Sequence, residues 1–396
     1  MGEMPMYNFD EIIDRRGTAS IKYDLASKKG LPEDILPFWV ADMDFKSPPE
    51  VLEALSQRIY HGIFGYSDTL NESYFNALFK WYSNRFDWKI QPEWVVKSPG
   101  VVFAIYTAIR ALTKPGDAVI IQQPVYYPFE SSVKDNNRRL IVNRLLYNNG
   151  RYQMNLDEFE RLIAEEHVKL FILCNPHNPV GRVWTREELS QVGDICVRYG
   201  VYVVSDEIHH DFVYPGYRHL VFAGLKPEYA DIAVTCTAPS KTFNLPGLQI
   251  ANIFISNKKI RQKFIDELRK TGYTQPNLMG MLACQAAYEK GEQWLEALID
   301  YLTGNLVMLR NFISDELPAI NLVEPEGTYL AWLDFSKFGL SDQELEQVLI
   351  HKAKIWLSSG PTFGAGGHGF QRFNIACPRS ILQEGLNRLK EAFNGI

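Results

Sequence analysis

Apolar and polar positions alternate along the chain with two rhythms. Between residues 94 and 255, short β-branched runs alternate with stretches whose apolar positions step by three and four, the pattern of strands interleaved with amphipathic helices. The runs Trp94–Lys97, Ala118–Gln122, Leu140–Leu145, Leu170–Cys174, Val201–Ser205, Ile232–Cys236 and Ala251–Ile255 predict strands, with helices near 102–112, 127–136, 156–166 and 186–199. Runs that are apolar on both faces, such as Val201-Tyr202-Val203-Val204, suit parallel strands covered on each side, so a doubly wound α/β sheet is expected.

After residue 257 the rhythm lengthens. Lys259–Arg269, Leu278–Lys290 and Glu292–Leu317 read as helices, followed by strand-like Tyr329–Phe335 and Arg372–Ala376 and helices near 342–353 and 380–393. This predicts a second, smaller α+β domain. The first fifty residues hold Pro32, Pro37, Pro48 and Pro49 and show little periodicity, which predicts an extended arm. The expected division is an arm over 1–49 packing with the small domain, a large domain over 50–287 and a small domain over 288–396.

Composition narrows the function classes. The 396 residues are 46% hydrophobic and 22% charged, the balance of a globular chain with a large core. With 41 Lys and Arg against 47 Asp and Glu, the net charge is −6, and no basic run focuses a phosphate-binding field, so nucleic acid is not an expected partner. No apolar run approaches the roughly 18 to 20 residues needed to span a bilayer, so no membrane is expected. The acidic residues Glu3, Asp10, Glu11 and Asp14 near the start do not resemble a secretion signal, and Met6 breaks the myristoylation pattern that Gly2 would open. Five cysteines, an odd number spread widely, predict buried free thiols in a reducing cytoplasm.

In open α/β sheets ligands gather at the carboxyl ends of strands, and four of these ends carry chemistry. Ser98-Pro99-Gly100 leads into a helix whose first free N–H groups, near Val101 and Val102, can bind an anion. Asn175-Pro176-His177-Asn178-Pro179-Val180-Gly181 offers two amides among turn formers. Asp206 and Glu207 leave a central strand; the segment on to Asp211 lacks metal-ligand spacing, and no metal is expected. Ser240-Lys241 is boxed by Pro239, Phe243 and Leu245, so the lysine amine is expected to be desolvated and nucleophilic. An anion site, an amide, a carboxylate and a lysine together match the requirements of pyridoxal phosphate.

At these residues the chain resembles fold-type I pyridoxal-phosphate enzymes of the class I/II aminotransferase family over nearly its whole length. Asn178-Pro179-Val180-Gly181, Ser205-Asp206-Glu207, Ser240-Lys241 and Arg372-Phe373-Asn374 fall in the family's order and spacing. Within the family, the segments 37–45 (Pro-Phe-Trp-Val-Ala-Asp-Met-Asp-Phe), Gly62-Ile63-Phe64-Gly65-Tyr66 and Ala376-Cys377-Pro378-Arg379 are similar to the cystathionine β-lyase, or cystalysin-type carbon–sulfur lyase, subgroup. The resemblance implies the aspartate aminotransferase fold, with a mostly parallel seven-stranded sheet in the large domain. It implies that Lys241 carries the cofactor aldehyde, Asp206 pairs with the ring nitrogen, Asn178 bonds the ring hydroxyl and Tyr126 stacks on the ring. His209 would lie near that hydroxyl, while the Val101 and Val102 amides with Ser240 would hold the phosphate. Arg372 would grip the substrate carboxylate in a planar fork, with Val40, Ala41 and Asn178 beside it. Tyr66 would reach the neighbouring subunit's phosphate, which implies a homodimer with shared active sites.

Three positions depart from the common family pattern: His209 in place of tyrosine, Gln249 in place of a phosphate-binding arginine, and Ala238 in place of serine. Tyr127 reads as packing. The expected reaction is α,β-elimination from cystathionine, cysteine or related S-substituted L-cysteines, giving a thiol, pyruvate and ammonia. An aminotransferase, and a regulatory protein that keeps the cofactor and acts through a partner, are the alternatives. Gly364-Ala365-Gly366-Gly367-His368-Gly369 fits G-x-G-x-x-G formally, but it leads into a strand-like segment instead of opening a helix, so it reads as an active-site loop and not a dinucleotide site.

Overall fold

The seven expected strand runs form one sheet, whose five inner strands are buried on both faces. The computed structural model describes residues 7–69 and 71–395; residues 1–6 of the expected arm, with Met6 and Gly2, lie outside the described residues. The strands are β1 (Val95–Ser98), β2 (Ala118–Gln123), β3 (Arg139–Arg144), β4 (Leu170–Cys174), β5 (Tyr202–Asp206), β6 (Ala233–Thr237) and β7 (Ala251–Phe254). Their order is β1-β7-β6-β5-β4-β2-β3, and only β7 runs antiparallel to its neighbours.

The period of two along β2 explains the two layers of core. Val119 and Ile121 pack beneath helices Val101–Leu112 and Lys258–Lys270, whereas Ala118 and Ile120 face Leu156–Glu166 and Arg186–Tyr199 across the sheet. A second sheet lies later in the chain, with strands β8 (Asn321–Val323), β9 (Leu330–Asp334), β10 (Ser358–Ser359) and β11 (Phe370–Asn374) antiparallel in the order β8-β9-β11-β10. In its register Arg372 sits between Trp332 and Ser358. Among the described residues no helix is long and apolar enough to cross a membrane.

The N-terminal segment differs from the expected extended arm. It contains a helix, Ile21–Lys28, held by polar bonds in place of an apolar stripe. The Asp24 carboxylate accepts from the Gly17 and Ser20 amides, and the fully buried Lys22 pairs with Asp44 at 2.7 Å. Hydrophobic periodicity cannot report such a helix. Beyond it, Leu36 and Pro37 pair in parallel with Ile355 and Trp356, and Asp34 pairs with Lys354 at 2.7 Å. Helices Pro49–His61 and Glu72–Phe86 then lead into β1. The expected helix at 342–353 is a short α-helix, Asp342–Gln347, continued by a π turn, and the last strand begins two residues earlier than expected, at Phe370.

Candidate active site

The register of the large sheet brings three chemical strand ends together. Asp206 is the last residue of β5 and lies opposite Cys174 on β4 and Cys236 on β6, so the loops that follow those strands deliver Asn178 and Lys241 to either side of it. Helix Pro239–Thr242 starts on a proline that needs no hydrogen-bond partner and presents Lys241 after one turn. Helix Val101–Leu112 begins at Gly100 with no capping side chain, which leaves its first amides available.

Two cavities meet at Lys241. The inner one, of about 220 Å³, is lined by Val101, Val102, Tyr126, Asn178, Asp206, His209, Ser240, Lys241 and Ala41, with Gln249 also on its wall. The outer one, of about 540 Å³, shares Lys241, Tyr126 and Ala41 and adds Val40, Trp39, Tyr127, Phe363 and Arg372. The structure thus places each of the anticipated site residues on one wall or the other, except Tyr66, which is 94% exposed and lines neither. Tyr127 is half-exposed on the outer cavity and is not packed as the sequence suggested.

The electrostatics of the two cavities follow from burial. Desolvation raises the Asp206 carboxyl to about 7, with Glu207 adding and Lys241 opposing; its Oδ1 accepts from the Ile208 amide at 3.1 Å. Burial lowers the Lys241 amine to about 8, with Arg372 adding to the shift and Asp42 and Asp206 opposing it, and Nζ donates to the Ala41 carbonyl at 2.6 Å. His209 is held neutral by burial and by the cations Lys241 and Arg372, and its Nδ1 has no hydrogen-bond partner among the described residues.

Arg372 is set for a carboxylate. Its guanidinium donates to Asn178 Oδ1 at 3.0 Å, to the Trp39 carbonyl at 2.9 Å and to Ser358 Oγ at 3.2 Å, while the buried Nε has no partner among the described residues. Burial lowers its pKa to about 10, the mark of a buried cation without a counter-ion. Asn178 therefore spans both cavities, lining one and orienting the cation of the other.

The residues fit pyridoxal phosphate on these grounds: a buried carboxyl lacking a paired cation, an orphaned imidazole nitrogen, free helix-start amides and a desolvated amine on one cavity. Gln249, exposed on the same wall, supplies no cation there, and the helix-start amides and Ser240 line the cavity beside it.

Local sequence marks the supporting residues unequally: Asp211 carries no motif, whereas Asn374 belongs to the Arg372-Phe373-Asn374 motif. Asp211, fully buried, accepts from Thr242 Oγ1 at 2.7 Å and Trp81 Nε1 at 3.2 Å and faces Arg85 at 3.3 Å, so it fastens the turn that bears Lys241 to helix Glu72–Phe86. Asn374 Nδ2 donates to the Val40 and Asp42 carbonyls at 2.6 and 2.7 Å and the Tyr329 hydroxyl to Ala41 at 3.0 Å, fixing the bend that supplies Ala41. The only hint of the first in sequence is its place five residues after Asp206.

Comparison with known proteins shows the chain's family. The family model "Aminotransferase class I and II" matches residues 33–389. The chain is 46% identical to the cystathionine beta-lyase PatB of Bacillus subtilis over 98% of its own length and 100% of the relative's, and 34% identical to protein MalY of Escherichia coli over 99% and 100%. It is similar to the crystal structure of cystalysin from Treponema denticola, which contains pyridoxal 5'-phosphate, with a TM-score of 0.95, 39% identity and coverage of 98% and 99% of the two chains.

Proposed function

Because the chain belongs to the class I and II aminotransferase family, we propose that its paired cavities perform β-elimination at a carbon–sulfur bond. It is a pyridoxal-phosphate-dependent carbon–sulfur lyase of the cystathionine β-lyase type, acting on cystathionine, cysteine or S-substituted L-cysteines. The observation that carries the residue assignment is the position of Lys241 on the wall common to the two cavities. When bound, the cofactor supplies an aldehyde that captures amines and a ring that accepts electron density from Cα.

The chain's own groups supply the rest. The Val101 and Val102 amides with Ser240 would hold the phosphate, Tyr126, Asn178 and His209 would border the ring, and Asp206 would hold a proton on the ring nitrogen. The cationic ring would relieve the burial of the Asp206 carboxylate. Arg372, on the wall of the outer cavity, takes the substrate α-carboxylate and thereby sets Cα toward Lys241. An amine whose pKa is about 8 has a minor neutral fraction near physiological pH, far larger than that of an ordinary lysine, so Lys241 can remove the Cα proton. As an ammonium it then stands as a proton donor in the cavity from which the thiol departs. The hydroxyl of Tyr126, raised to about 12, stays neutral throughout. With water the balance is cystathionine to homocysteine, pyruvate and ammonia.

The site is completed by a second copy of the chain in this reading. Tyr60, Ile63, Phe64 and Tyr66 are exposed together around the end of helix Pro49–His61, an apolar patch that supports a homodimer with Tyr66 entering the partner's inner cavity. The direct test is Lys241→Ala loaded with cofactor: it retains the cofactor absorbance and loses turnover by at least about 1,000-fold. Unchanged turnover removes Lys241 from the chemistry.

A further inference from the structure

The outer cavity carries charge at two depths. Its charged lining residues are Lys241 and Arg372 inside, and Lys29 and Glu346 from two different elements. Lys29 follows helix Ile21–Lys28, and Glu346 lies on helix Asp342–Gln347. Both are exposed and opposite in sign, and their side chains have no hydrogen-bond or ion-pair partner among the described residues. Their neighbours differ: Lys22 is bound to Asp44, Asp34 to Lys354, Glu344 to Ser341, and Asp342 to His368 and Gly369.

The rest of the outer lining is mostly apolar and aromatic. Trp39 and Trp356 stack with ring centroids 4.2 Å apart, and Ile21, Leu25, Tyr127, Leu357 and Phe363 continue the wall. A ligand complementary to this sequence of surfaces has a carboxylate and amine at one end, a thioether and methylenes in the middle, and a second pair of opposite charges at the far end. The alternative, an S-alkyl cysteine, matches the wall and leaves both rim charges unused.

We propose that Lys29 and Glu346 are specificity-determining residues that read the distal amino-acid group of a thioether substrate, Lys29 binding its carboxylate and Glu346 its ammonium. The proposal rests on the lyase reading above and names which of its substrates the cavity favours. Cystathionine has this double-ended chemistry.

The test uses the cofactor-loaded protein and four substrates: L-cystathionine, S-(3-carboxypropyl)-L-cysteine, S-(3-aminopropyl)-L-cysteine and S-propyl-L-cysteine, with pyruvate as the readout. Lys29→Gln raises KM about fivefold for the first two, the size of an exposed charge pair, with kcat unchanged and the other two not impaired. Glu346→Gln raises KM about fivefold for cystathionine and the aminopropyl compound and does not impair the carboxypropyl and S-propyl ones. Equal losses on all four substrates, or no change on any, overturn the proposal while leaving the lyase reading intact. Absence of pyruvate from all four with the unsubstituted protein overturns both.

Discussion

At the residue scale, the chemistry depends on groups whose burial opposes their ordinary charge. Asp206 titrates near 7 in the folded chain and near 3.8 when unfolded, so it binds a proton more tightly when folded. The stabilisation from that proton is full below about pH 4 and is lost as pH rises through about 7. Asp206→Asn in cofactor-free protein therefore melts about 2–5 °C higher than the unsubstituted chain at pH 8 and close to it at pH 4. The same substitution in the loaded protein lowers kcat about 100-fold or more, because the ring nitrogen loses its anion. Thermal melts at the two pH values and a turnover assay check both halves; a melting difference that is the same at both pH values contradicts the titration. Lys241 and Asp206 were legible because strand ends and turn residues mark them locally. Asp211 was not, because its partners Trp81 and Thr242 lie 130 and 31 residues away and only the fold brings them within hydrogen-bond reach.

At the scale of elements, the phosphate-binding role proposed for helix Val101–Leu112 can be probed with a single residue. Its first position tolerates proline, which has no N–H to give, and Gly100 before it is already extended, with φ 179° and ψ 165°. Val101→Pro should leave the far-ultraviolet circular dichroism unchanged and weaken pyridoxal phosphate binding about 10-fold, the loss of one hydrogen bond to a charged group. Unaltered affinity contradicts the role of that amide. Strands β2, β4 and β5 were readable because burial on both faces leaves runs such as Val119–Ile121 without polar interruption. Helix Glu72–Phe86 is encoded as clearly, by Tyr74, Ala77, Leu78, Trp81 and Tyr82 at helical spacing, but the aromatic residues that fill it also favour strands and disguise the period. Helix Ile21–Lys28 had no apolar signal, since its hold is the buried Lys22–Asp44 pair.

At the scale of the whole molecule, no single unit of the chain owns the site. Ala41 comes from the N-terminal segment, Asp206 and Lys241 from the large sheet, and Arg372 from the second sheet, with Asn178 and Asn374 bonded across the joins. In the proposed homodimer, the exposed patch around Ile63 and Phe64 would extend this sharing to a second copy. Replacing both with aspartate should yield a monomer by sedimentation and lower turnover more than about 10-fold through loss of Tyr66 from the partner's site. A dimer of full activity contradicts the shared-site proposal. Such an assembly could not be read from local pattern, which shows what a segment buries but not against which copy.

The account stands most directly on the fate of one substrate. L-cystathionine is added to the cofactor-loaded protein without any keto acid, and pyruvate and homocysteine are counted per subunit. Many equivalents of each, in equal amounts, are the predicted result. No pyruvate, with the cofactor converted once to its pyridoxamine form, would make the chain an aminotransferase and contradict elimination at Lys241.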